Sequence, residues 1–256
     1  AKSLLPLLDA ASARLAGRAL PASPEEAMFY LCNTSGTDAH VALWTCTVSD
    51  VESGSDKGTH AIFVKSPFKI LKSKTTTSYI VDDAQVFFQN PPLTVTVRDT
   101  RSEDDGGFPP GKNIFVLTMV HMPRATGATH EQRDVELEAL LHDYWGGGDE
   151  DQATTSTMHI IAGDFNVYPT ESQFKLSERG WCAPMIPETV STTAGHGATD
   201  NFIVNTESMH GYTFYPFVRL MALPPTQEGS DQVQISEHFP IELEIYNLDN
   251  ASDSED

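Results

Sequence analysis

The chain has 256 residues, with 36 acidic against 16 basic side chains and a formal charge of −20. With 39% hydrophobic and 9% aromatic residues it is a globular chain, long enough to bury a core in one large domain or two small ones. No apolar run nears the roughly 18 residues that cross a bilayer. The acidic field repels polyanions at long range, so a nucleic-acid partner needs local basic groups or bound cations, whereas a divalent metal suits the charge.

Residues 1–20 read as an amphipathic helix, with Leu4, Leu8, Ala11 and Leu15 at helical spacing. Its interspersed Asp and Arg residues argue against a signal peptide. Strands are predicted at 40–48 and 59–64, separated by the polar loop 49–58. The next, at 93–97, alternates strictly, so one face is buried and the other meets water. After a Gly/Pro-rich loop at 101–112 comes "NIFVLTMVHM" (113–122), apolar throughout as in a strand covered on both faces.

One helix is clear. Thr129 to Gln132 has capping-box spacing, and Leu137, Leu140, Leu141 and Tyr144 mark an apolar face up to Trp145. A polar loop then leads into "MHIIAGD" (158–164), followed by "DNFIVN" (200–205), a loop at 223–232 and the alternating "PIELEIYN" (240–247). Residues 1–247 read as a single domain, and 248–256 as an acidic disordered tail. Strands outnumber helices, which points to an α+β or layered sandwich with helices outside.

Cys32, Cys46 and Cys182 fit no zinc spacing, and an odd count does not settle the redox compartment. The triplets at Asn33 and Asn250 have the glycosylation pattern. About one such triplet arises by chance at this length, so they tilt the reading only slightly toward secretion.

Four segments end or begin an apolar run with chemically capable residues: His121 after "FVLTMV", Asp164 and Asn166 in "GDFN", Asp200 before "NFIV", and Glu237 with His238 before "FPIELEI". Each has a plain alternative as a turn or surface residue. Together they suit phosphodiester hydrolysis. That reaction needs a base for water, an acid for the leaving oxygen, and a cation or donors around the developing charge.

"VHMP", "GDFN", "TDNFIV" and "SEHFPIELEI" resemble, in order, motifs of the endonuclease/exonuclease/phosphatase superfamily, deoxyribonuclease I-like proteins above all. The similarity runs from about residue 40 to 247, and "THAIFVKSPFKIL" falls where that family has a strand, a Pro-containing turn and a strand. The resemblance implies an α/β (α+β) four-layer sandwich of two mostly antiparallel sheets flanked by helices, with a Mg²⁺-dependent site (or one using Mn²⁺ or Ca²⁺) at one end. By position, His238 would be the general base, Asp200 its orienting carboxylate and His121 the general acid. Asp164 and Asn166 would contact metal and phosphate, and Glu237, where the family has Asp, would be a further metal-side carboxylate. DNA is the implied substrate. A catalytically impaired binding or structural module is the first alternative. A phosphatase for inositol phosphates or phospholipids is the second, disfavoured because Ala198-Thr199 replace the Trp-Thr signature before Asp200.

Two features of the family have no counterpart. Gly58, Thr59 and His60 stand where the deoxyribonuclease subgroup has a Glu that orients the first histidine, leaving His121 without an evident partner. The family's opening strand–helix–strand, with an Asn and a metal-binding Glu, is also unmatched. The expectation is that a segment of about 25–40 residues, an upstream extension or a second chain, pairs beside the strands around 114–120 and 158–162.

Overall fold

The structure, a computed structural model, describes residues 44–49, 60–81, 83–109, 111–124, 129–146, 157–171, 176, 180–182, 184–193, 197–205, 211–218, 238 and 241–247. The predicted opening helix, Glu237, the loop 223–232 and the acidic tail lie outside the described residues, as do Cys32 and both glycosylation-type triplets.

Among the described residues, eleven strands and one α-helix follow in chain order: β1 (Trp44–Val48), β2 (Ala61–Lys65), β3 (Phe68–Thr75), β4 (Ser78–Val81), β5 (Ala84–Phe87), β6 (Leu93–Asp99), β7 (Ile114–His121), α1 (Thr129–Gly146), β8 (Met158–Asp164), β9 (Asp200–Val204), β10 (Tyr212–Val218) and β11 (Ile241–Asn247). A central sheet has the order β3-β6-β7-β8-β9, parallel only between β7 and β8, and three two-stranded ribbons (β1–β2, β4–β5, β10–β11) surround it. The parallel pair requires a crossover, and α1 is that crossover.

Each central strand alternates between two differently covered faces. On one face, Val120, Ile161 and Ile203 pack with Leu137, Leu140 and Leu141 of α1 and with Tyr79 and Phe88. On the other, register aligns Val95, Leu117, Ile160 and Val204 across four strands. Ribbon β1–β2 covers the β6 flank of that face through Ile62 and Val64, and β10–β11 covers the β8–β9 flank through Tyr212, Leu243 and Ile245. The middle is thinner. Leu117, Met119 and Ala162 are only half-buried, although β7 is the central strand and Val95 and Ile160 beside them are buried.

The chain thus has the sheet-rich, layered architecture expected, with α1 the helix that flanks it among the described residues. One expectation fails. β7 lies between β6 and β8, and β8 between β7 and β9, so no additional strand can pair beside residues 114–120 or 158–162. The β9 edge is occupied too, by Cys182 and Met185 backbone N–H groups that donate to Val204 and Phe202. In α1 the Gln132 amide donates to Glu136 Oε1 (2.8 Å) and to the Phe87 carbonyl (3.2 Å).

Candidate active site

Strand register assembles the site. The parallel β7–β8 ladder sets His121 opposite Asp164, and the antiparallel β8–β9 ladder sets Asp164 opposite Asp200. The three form one rung across the ends of three adjacent strands. By the period-two alternation they project on the face that carries Phe115, Met158 and Phe202. Gly163 makes the spacing possible: at φ 138, a Cβ there would lie 2.1 Å from the Val120 carbonyl oxygen of the neighbouring strand.

His238 arrives from outside the central sheet, bridged to Thr193. Its Nδ1 meets Asp200 Oδ2 at 2.8 Å, and its Nε2 lies 3.9 Å from Asp164 Oδ2. From the other side His121 Nε2 lies 3.7 Å from the same oxygen. Asp164 Oδ2 therefore sits between two imidazoles. An ionised Asp200 makes Nδ1 of His238 the N–H donor, which leaves the Nε2 lone pair toward Asp164.

"GDFN" is both a turn and a site. Asn166 has φ 48, a left-handed conformation that Asn tolerates. Its N–H donates to Asp164 Oδ1 at 2.9 Å, and its side-chain amide donates to Asp164 Oδ2 at 3.1 Å and to the Met122 carbonyl at 2.7 Å. The five residues His121, Asp164, Asn166, Asp200 and His238 are thus brought together.

Three supporting residues escaped sequence reasoning. Arg133 of α1, 3% exposed, donates from Nη1 to the Asn166 carbonyl at 2.8 Å. Asn90 donates to the His121 carbonyl at 2.8 Å. Thr192 Oγ1 accepts from the Asp200 N–H at 3.1 Å. Only the Asn90-Pro91-Pro92 turn had a local signal; a buried Arg on a helix and a Thr in a loop have none.

Charge explains the titration of the site. Burial pushes the Asp200 carboxyl up, the His238 hydrogen bond pulls it back, and the facing Asp164 charge raises it further. His60, at the start of β2, is lowered to about 4 by burial and by His121, which lies within electrostatic reach. Where the deoxyribonuclease subgroup has a Glu beside the first histidine, this chain thus holds a neutral imidazole, and its buried Nε2 has no hydrogen-bond partner among the described residues. A cation fits the set. Asp164, Asp200 and His238 each offer a ligand atom, all within 4.8 Å of one another, and the two facing carboxylates need a proton or a cation between them.

No family model matches the chain, and no curated protein matches it. Solved structures do. The Haemophilus ducreyi cytolethal distending toxin is similar at 16% identity and a TM-score of 0.53, over 81% of this chain and 70% of that one. A functionally unknown conserved protein from Enterococcus faecalis V583 is similar at 13% identity and a TM-score of 0.50, over 81% and 78%. An endonuclease/exonuclease/phosphatase family protein from Bacteroides thetaiotaomicron matches more loosely, at 16% identity and a TM-score of 0.47 over 79% and 75%. At such identities the likeness is one of fold.

Proposed function

Because the chain has the deoxyribonuclease I-like fold of the endonuclease/exonuclease/phosphatase proteins, we propose that it is a metal-dependent phosphodiesterase, a nuclease whose substrate is DNA. The observation that carries this reading is the 2.8 Å His238–Asp200 pair facing His121 across Asp164. In the proposed reaction His238 Nε2 removes a proton from water as its oxygen bonds to phosphorus. Asp200 holds the ring's tautomer and stabilises the imidazolium that forms. The bond from phosphorus to the leaving oxygen breaks, and His121, 47% exposed at its side chain, delivers a proton to that oxygen. Asn166 orients Asp164. A bound Mg²⁺, held by Asp164 with the Asn166 amide oxygen, would supply charge neutralisation at the phosphate.

The test is hydrolysis of bis(p-nitrophenyl) phosphate and nicking of supercoiled plasmid with Mg²⁺, Mn²⁺ or Ca²⁺. His238→Ala should lower the rate by about 10² to 10⁴ with the fold intact. Equal rates in variant and parent would reassign the base, and no hydrolysis of either substrate by the parent would favour the binding-module reading.

Both sides of β7 and of β8 are already paired, so a completing segment would have no place beside them. We propose that a strand–helix–strand carrying an Asn and a Glu, from upstream or from a second chain, lies over Leu117, Met119 and Ala162 and pairs with β1 or β11. Among the described residues each of those strands is paired on one side only.

A further inference from the structure

We propose that the outer face of the β3–β6 edge is a docking track for the backbone of a polynucleotide; this deepens the phosphodiesterase reading and rests on it. The track is the juxtaposition of Lys69, Lys72, Lys74 and Arg98, all exposed.

A register shift puts them together. In a regular strand Lys69 would face one way and Lys72 and Lys74 the other. An irregularity between Ile70 and Lys72 switches the phase, so that Lys69 pairs with Arg98, Lys72 with Thr96 and Lys74 with Thr94. The β6 partners are alternate residues, so all three lysines share one face with Arg98, opposite the face that buries Leu93, Val95 and Val97. Thr94 Oγ1 continues the polar row to Thr118 Oγ1 at 3.1 Å.

Three observations point to an anionic partner. First, the segment 60–81 contains no Asp or Glu, in a chain where acids outnumber bases 36 to 16. Second, none of the four cations makes an ion pair with any described residue, although Arg101 and Arg133 elsewhere do. Third, Lys69 and Arg98 sit directly opposite each other, a like-charge arrangement that is unfavourable until an anion lies between them. Edge lysines also deter strand pairing, which accounts for the lysines of β3 but not for Arg98 on the inner strand.

The shape selects the partner. Lys72 and Lys74 repeat at about 6.7 Å along the strand, so the cations form a line rather than a disc, suited to a linear polyanion. The line ends toward the same end of the sheet as the site but on its opposite face: the Lys74–Thr94–Thr118 rung is three residues, about 10 Å along the strand, from the His121 position on β7.

The experiment is fluorescence anisotropy of a labelled oligonucleotide with the full chain in EDTA, so that binding is read without hydrolysis. Lys69→Gln/Lys72→Gln/Lys74→Gln should weaken binding at least tenfold at low salt. It should also flatten the salt slope by about 2–3, because each phosphate that a cation neutralises contributes about 0.7–0.9. Arg98→Gln, on a different strand, should shift both in the same direction. Hydrolysis of bis(p-nitrophenyl) phosphate, too small to reach the edge, should be unchanged. Equal oligonucleotide binding by parent and variants would overturn the proposal. So would a loss confined to phosphatidylserine vesicles, which would make the edge a membrane-facing surface. The two readings fail separately: a hydrolytically silent parent that still loses oligonucleotide binding in the triple variant keeps the track and sinks the catalysis.

Discussion

Asn166 shows how one residue serves as turn former and site residue together. Its left-handed backbone closes the turn, and the same conformation returns its amide to Asp164 and Met122. That geometry depends on a cation from another element. Arg133→Met should leave the Asn166 carbonyl without its donor, at a cost of about 1–3 kcal/mol, and should lower hydrolysis more than stability alone explains. Melting and rate measurements on the variant check this, and a variant with full activity would remove Arg133 from the site. His60 makes a different prediction. Its folded pKa of about 4 lies below the ordinary 6.5, so between these values the unfolded chain binds the proton and the folded chain does not. Stability from this group is complete above about 6.5 and is lost as pH falls toward 4. Thermal melts across that window should fall less steeply for His60→Asn than for the parent.

At the level of elements, α1 carries a burden that its amphipathic pattern does not reveal. Glu136 is fully buried on its inner face, and its Oε1 accepts from both the Gln89 N–H and the Gln132 amide, while Oε2 has no partner. Burial pushes its carboxyl above the ordinary range, against those hydrogen bonds. The charged form therefore costs stability that grows as pH rises from the unfolded toward the folded pKa. Glu136→Gln keeps the accepting oxygen and removes the charge, so it should stabilise by about 1 kcal/mol at neutral pH. The gain should vanish in acid, and denaturant midpoints at both pH values decide it. The same helix shows what was legible in sequence. Leu137, Leu140 and Leu141 could be read as a buried stripe because apolar spacing is a local signal; Arg133 and Glu136 beside them could not, because Asn166 and Gln89, to which they bond, lie 33 and 47 residues away. Strands β6 to β9 were legible for the same reason as the stripe. β4–β5 was not, since four-residue strands are too short to show alternation, and β10 was hidden by Pro216, which a two-stranded ribbon tolerates.

On the scale of the molecule, the half-buried Leu117, Met119 and Ala162 mark where the second layer is thin. If a segment with a metal-binding Glu completes that layer, calorimetric Mg²⁺ titration should give poor affinity for this chain alone and tighter binding once the segment is added. Equal affinity in both would refute the placement. Membership of the site was readable from strand ends, whereas its closeness was not, because it depends on which strands are neighbours and in what register. That register has a further consequence. Strand pairing is quantised: a slip of one residue turns side chains to the opposite face, and a slip of two displaces them by about 6.7 Å. His121, Asp164 and Asp200 occupy one rung, so no intermediate alignment leaves them partly assembled. The rung of the candidate site is a digital property of the sheet, and each molecule would hold those three residues together wholly or not at all. Hydrolysis should then report folding itself, vanishing at the same denaturant concentration as the strand signal in circular dichroism.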